Sequence, residues 1–180
     1  RNILVFRSCG LGDFILSAPA FHLLRKRFPS SHITLLTLQT TDRRVAKKVA
    51  ASAGGNNAAP WVELLRPHLI DDVIVLDNPR SFAGFRDARK ILKTTKFDLV
   101  VQMIDVGVPW RRRFKKMLFA AALVGLTRQV GWRRPGTIEL GKVPATDPNL
   151  GHHVFGPMQF ANELDNGTWT IDEIVFDLRP

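Results

Sequence analysis

The stretch "NILVFRSCGLGDFILSAPAFHLLRKRFPSSHITLLT", residues 2–37, carries the pattern that decides the fold. Ile3, Leu4, Val5 and Phe6 form an unbroken apolar run, as in a strand buried on both faces. A loop with two glycines, Gly10 and Gly12, follows and ends in Asp13. Leu16, Ala20, Leu23, Leu24 and Phe28 then recur at helical spacing, with Arg25, Lys26 and Arg27 at the far end, where the helix dipole favours cations. Pro19 falls early in this segment and predicts a kink. "PSS" closes the helix, and "HITLLT" (32–37) reads as a second strand. Strand, glycine loop, helix, strand is the unit from which parallel sheets are built.

The same alternation continues. "DDVIVLD" (71–77) and the almost wholly apolar "FDLVVQM" (97–103) read as further strands, and "RQVGW" (128–132) as a fifth. Residues 42–52 read as a basic helix. Residues 82–95 read as a helix with Phe82, Phe85, Ala88, Ile91 and Leu92 on one side. Residues 111–125 form a helix that is basic first and apolar afterwards, and 152–164 a last helix. "ASAGGNNAAPW" (51–61) and the Pro- and Gly-bearing 133–151 read as loops. The expected architecture is α/β: an open, mainly parallel, Rossmann-like sheet with helices on both faces.

Composition narrows the partners. The 180-residue chain is 45% hydrophobic, with no apolar run long enough for a membrane span and no signal-peptide pattern. A single cysteine, Cys9, excludes an internal disulfide, and no thiol-enzyme signature surrounds it. Up to Asn149 there are 25 Lys/Arg against 11 Asp/Glu, whereas from Leu150 onward there is 1 against 5. So basic a body implies anionic partners: nucleic acid, phosphorylated small molecules or an anionic membrane surface.

In parallel sheets ligands bind at the carboxyl ends of the strands, where the 8–13 loop sits. "GLGD" supplies only G-x-G; the third glycine of the dinucleotide fingerprint would fall at Ile15, and no P-loop Gly-Lys-Ser/Thr follows. Asp13, at or beside the start of the first helix, fits an N-cap. It also fits a carboxylate kept ionised by the helix dipole, repelling a pyrophosphate but able to take a proton from a substrate hydroxyl. "WRRRFKK" (110–116) places five cations at a helix start, against the dipole preference. Such a run is either a solvated face or a clamp on phosphate or carboxylate groups. Arg80, and Arg133 and Arg134 after Trp132, follow expected strands and should reach the same rim. Arg43, Arg44, Lys47 and Lys48 fit an outer helical face. His152 and His153 have no partners at metal-ligand spacing, so no metal site is expected. "NGT" (166–168) matches a glycosylation sequon, but nothing indicates secretion.

Residues 3–37 resemble the opening of the heptosyltransferase-like glycosyltransferases, glycosyltransferase family 9. Gly12-Asp13, Leu16, Pro19, Leu24, Arg25, Phe28 and Pro29 match its G-x-x-G-D-like motif and the L-x-x-P-x-x-x-x-L-[KR]-x-x-[FY]-P that follows. "KFDLVVQM" (96–103), 111–132 and "HHVFGPMQFANELD" (152–165) resemble later family segments more loosely. The resemblance implies the N-terminal half of a GT-B fold, with 1–165 as the acceptor-binding domain. Residues 166–180 would be an exit segment opening the interdomain linker, and the C-terminal donor domain would be absent from this chain. It further implies inverting, metal-independent transfer of a heptose-type sugar from a nucleotide-sugar, commonly ADP-heptose, without a cofactor. The acceptor would be an anionic lipopolysaccharide-core-like glycolipid. Asp13 would be the general base and Gly10 and Gly12 would give backbone access. Arg80, Arg111, Arg112, Arg133 and Arg134 would hold acceptor anions. The location implied is cytoplasmic, with peripheral contact at the inner face of the membrane, and the isolated chain should have little or no activity. Two departures stand out: Gln102 replaces an acidic residue often found at the end of the fourth strand, and Gly156-Pro157 interrupts the last helix.

Two other readings compete. A Rossmann-like module binding a free nucleotide is opposed by Ile15 and Asp13. A basic nucleic-acid-binding protein is opposed by the lack of tyrosine and of clustered aromatics in an RNA-binding motif.

Overall fold

The computed structural model describes residues 1–7, 15–38, 68–76, 82–104, 108–132 and 160–164. Five strands, β1 (Asn2–Phe6), β2 (His32–Leu38), β3 (Asp72–Leu76), β4 (Leu99–Gln102) and β5 (Gln129–Val130), form one sheet. The spatial order is β3-β2-β1-β4-β5 and every neighbouring pair is parallel. The helices are α1 (Ala18–Arg27), α2 (Phe82–Lys93), α3 (Trp110–Val124) and the short α4 (Phe160–Leu164). The expected α/β sheet with helices on both faces is what forms.

Alternation along β1 shows why the strand is apolar throughout. Ile3 and Val5 enter one core with Phe21, Leu23 and Leu24 of α1 and Phe160 of α4. Leu4 points the other way, into a second core with Ala88 and Leu92 of α2 and Ala120 and Leu123 of α3. Leu36 and Val100 join Leu4, while Ile33, Leu35 and Val101 join Ile3 and Val5. The placement of the helices follows from handedness. The chain moves from β1 to β2 in one direction over α1, and from β3 back to β4 in the other direction over α2. Right-handed crossovers therefore put α1 and α2 on opposite faces.

Local details correct the sequence reading in several places. The helical segment is interrupted at a turn over Leu16 and Ser17, just before Pro19; within α1 Pro19 lies in the first turn, where its missing N–H removes no helical bond. The N-cap of α1 is Ser17, whose carbonyl accepts from the Ala20 and Phe21 N–H groups; Asp13, expected at or beside the start of the first helix, lies outside the described residues. Ile91 is 51% exposed, outside the apolar side that Ala88 and Leu92 bury. Several elements are shorter than their patterns: β5 pairs over two residues only, and the described part of the last helix is 160–164. The expected helix at 42–52, the loops at 51–61 and 133–151, and the exit segment 166–180 lie outside the described residues.

One ion pair ties the amino-terminal edge of the sheet. Arg25, in the last turn of α1, donates from Nη2 to the Asp71 carboxylate at 2.8 Å and from Nη1 to the Ser31 carbonyl at 2.7 Å. Asp71 also accepts from the Ile33 N–H at 2.7 Å. Partial burial works against the Asp71 charge, but the Ile33 N–H and the Arg25 guanidinium outweigh it and hold its pKa below the usual carboxylate range. A depressed folded-state pKa gives stability that is complete above the ordinary carboxylate value of ~4 and is lost as pH falls through the folded value. Asp71→Asn is therefore expected to lower the urea midpoint at neutral pH, and the gap to wild type should narrow at a pH well below the ordinary carboxylate value of ~4. An equal gap at both pH values would contradict this.

Candidate functional site

The strand order reverses between β1 and β4. From β1 the chain proceeds outward to β2 and β3, then returns to the opposite side of β1 as β4 and continues to β5. The carboxyl ends of these two strands flank a topological switch point, where open α/β sheets carry their ligands. Phe6 and Gln102 are register partners at that edge. The chain leaves β1 here and runs directly into the segment containing Gly10, Gly12 and Asp13.

The floor of this edge is tightly tied. The Met103 N–H donates to the Phe6 carbonyl at 3.1 Å, and the Arg7 N–H to the Leu36 carbonyl at 3.1 Å, so the three central strands stay in step to their ends. Arg7 is 3% exposed and donates from Nη1 to the Met103 carbonyl at 3.0 Å. It places a buried positive charge at the carboxyl ends of β1 and β4. The sequence reading passed over Arg7; its signal is that it is the first charged residue after an apolar central strand.

Past β4 the chain turns into α3. Pro109 occupies the N-cap position and its carbonyl accepts from the Arg112 and Arg113 N–H groups. No acidic residue offsets the cations of the first turn. Arg113 turns inward, 1% exposed, and donates from Nε to the Val108 carbonyl at 2.9 Å, which fixes the start of the helix. Arg111 and Arg112 are exposed and, among the described residues, take part in no ion pair. Thus the run divides: Arg113 anchors, and Arg111 and Arg112 stand exposed at the carboxyl edge of β4.

β5 completes the rim. Gln102, 2% exposed at the end of β4, reaches the Lys116 carbonyl of α3 and the Gln129 side chain of β5, each at 3.4 Å. Gln129 in turn donates to the Met117 carbonyl at 3.3 Å. The amide at 102 therefore serves as a neutral brace between strand and helix, a place where a buried carboxylate would face carbonyl oxygens. Gly131, immediately after β5, has φ +80, and a Cβ there would collide with the Gln102 carbonyl oxygen. This close approach brings Trp132 against Trp110, with ring centroids 5.5 Å apart.

Of the expected site residues, Arg111 and Arg112 lie at this edge. Gly10, Gly12, Asp13, Arg80, Arg133 and Arg134 lie outside the described residues, as do Cys9, His152 and His153. The strands that lead into them do not: β1 precedes Gly10–Asp13, β3 precedes Arg80, and β5 precedes Arg133 and Arg134. Among the described residues no group of three or more His, Cys, Asp or Glu side chains could hold a metal ion.

No protein-family model matches the chain, and no curated protein matches it. Among solved structures it is similar to the glycosyl transferase family 9 from Veillonella parvula DSM 2008, at 30% sequence identity and a TM-score of 0.40. That likeness covers 57% of this chain and 26% of the other, so the chain matches about a quarter of that protein's length.

Proposed function

We propose that this chain is the acceptor-side domain of an inverting glycosyltransferase. The observation that supports the reading most is topological. β1, which leads into the Gly-Leu-Gly-Asp segment, ends where the strand order reverses, and β4 beside it leads toward a helix whose exposed Arg111 and Arg112 take part in no ion pair among the described residues. A loop that follows the switch-point strand and ends in a carboxylate, together with arginines past the neighbouring strand, suits a neutral hydroxyl on an anionic substrate. It does not suit a bound pyrophosphate, and the third position of a dinucleotide fingerprint is held by Ile15.

In this reading Asp13 accepts the proton of the acceptor hydroxyl as its oxygen attacks the anomeric carbon. The bond from that carbon to the nucleoside diphosphate breaks, the leaving group keeps the electron pair, and the configuration inverts. Gly10 and Gly12 let the acceptor approach the backbone. Arg111 and Arg112, with Arg80, Arg133 and Arg134, hold its anionic groups. The resemblance at residues 3–37 points to a heptose-type sugar carried by ADP and to an acceptor like the lipopolysaccharide core, used on the cytoplasmic side of the membrane. The donor would be held by a further domain.

The arginines supply a test. Charge-assisted bonds to carboxylate or phosphate are worth about 1.5–3 kcal/mol each. The double variant Arg111→Ala/Arg112→Ala is expected to raise the acceptor KM by at least about tenfold while kcat changes much less. An unchanged KM would remove these residues from the acceptor site.

A further inference from the structure

The outward face of α3 is neither core nor an ordinary solvated surface. Trp110, Phe114 and Leu118, four residues apart, are 45%, 41% and 50% exposed, and Leu126 just past the helix is 102% exposed. Trp110 and Phe114 lie against each other, with ring centroids 6.1 Å apart. Arg111, Arg112, Lys115 and Lys116 are exposed on the same helix. From Val106 to Ile138 the chain has no acidic residue. The opposite side of the helix is anchored by Arg113, Ala120 and Leu123, so the exposed face is held in place by a packed core.

We propose that this face of α3 docks on an anionic lipid bilayer, with Trp110, Phe114, Leu118 and Leu126 entering the headgroup region and the cations meeting lipid phosphates. Aromatic and aliphatic side chains beside Lys and Arg on one helix are the composition of an interfacial helix. Charge selects this occupant over others. A second copy packed symmetrically on the same face would oppose these cations with themselves. A nucleic acid would satisfy the cations but leave Phe114, Leu118 and Leu126 in water. The inference does not depend on sugar transfer.

The test is co-sedimentation of the chain with phosphatidylcholine vesicles made with and without phosphatidylglycerol. Binding is expected only with the anionic lipid, to weaken with added salt, and to shift Trp emission to the blue. Lys115→Glu changes the face by two charges, each worth ~1 kcal/mol at an anionic surface, and should weaken partitioning about thirtyfold. Leu118→Ser should weaken it severalfold with an unchanged thermal melt, because Leu118 lies outside the core. The inference is overturned if the chain fails to bind anionic vesicles or if both variants bind like wild type. Dimerisation sensitive to Leu118→Ser, without vesicle binding, would overturn it too and assign the face to a second copy.

Discussion

Asp13→Asn is expected to lower kcat for sugar transfer by about 10²–10⁴-fold, the usual worth of a positioned general base. The assay requires the chain together with a donor-side domain, which the proposed reading calls for. Asparagine is the informative replacement because it caps helices as well as aspartate does but cannot take the proton. A purely structural Asp13 would tolerate it with activity intact. Ser17 occupies the N-cap of α1, so the helix Ala18–Arg27 keeps its cap in either variant. Asp13→Ala should show the same loss in kcat. Stability of both variants, read from urea midpoints, should stay within about 1 kcal/mol of wild type. Near-normal turnover in Asp13→Asn would remove the base from the mechanism.

Gly131→Ala is expected to cost about 2–5 kcal/mol. Two effects combine there. A left-handed backbone conformation penalises any Cβ by roughly 1–2 kcal/mol. The new methyl group would also press on the Gln102 carbonyl oxygen, with Phe160 Cβ only 3.2 Å away, and crowding a packed core costs about 1–3 kcal/mol more. Neither neighbour is a flexible side-chain end: one is the backbone of β4, the other the first side-chain carbon of a residue wholly buried in the core. Relief would push β5 from β4 or α4 from the sheet, and Trp132 would lose its place against Trp110. Gly125, also at positive φ but with open space around it, is the control: Gly125→Ala should cost the backbone penalty alone, about 1–2 kcal/mol, without the crowding. Urea melts of the two variants test the contrast, and similar midpoints would contradict it.

How much of this was legible in the sequence depended on which force controls each feature. β1 and β4 were legible because strands covered on both faces must be apolar at every position, and Ile3–Val5 and Leu99–Val101 are. The helices announced themselves by spacing, and α1 buries Ala20, Leu23 and Leu24 as their spacing required. The strand order was not legible, since periodicity says which face of a strand is buried but not which strand lies next to it. The switch point between β1 and β4 therefore emerged only with the pairing.

Residue type also misled where geometry overrides it. Arg113 sits within a run of cations, so nothing in "WRRRFKK" distinguishes it from Arg111 and Arg112, yet its position on the helix turns it inward to the Val108 carbonyl. Ile91 has the opposite history: an apolar residue at plausible spacing that falls just off the buried side of α2. Pro19 reads as a breaker when the helix is assumed to begin near Asp13, and as a natural first-turn residue once the helix starts at Ala18. Gln102, a departure from the acidic residue that the resemblance suggests, is accounted for by its burial between α3 and β5.

The central claim is that the carboxyl edge between β1 and β4 presents an acceptor hydroxyl for glycosyl transfer. The most direct measurement, made on the chain together with a donor-side domain, is release of nucleoside diphosphate from a nucleotide-sugar, ADP-heptose first, with and without an anionic glycolipid acceptor, together with the anomeric configuration of the product. The account predicts release that requires the acceptor and a product inverted relative to the donor. Release independent of acceptor, or a product that retains the donor's configuration, would contradict it.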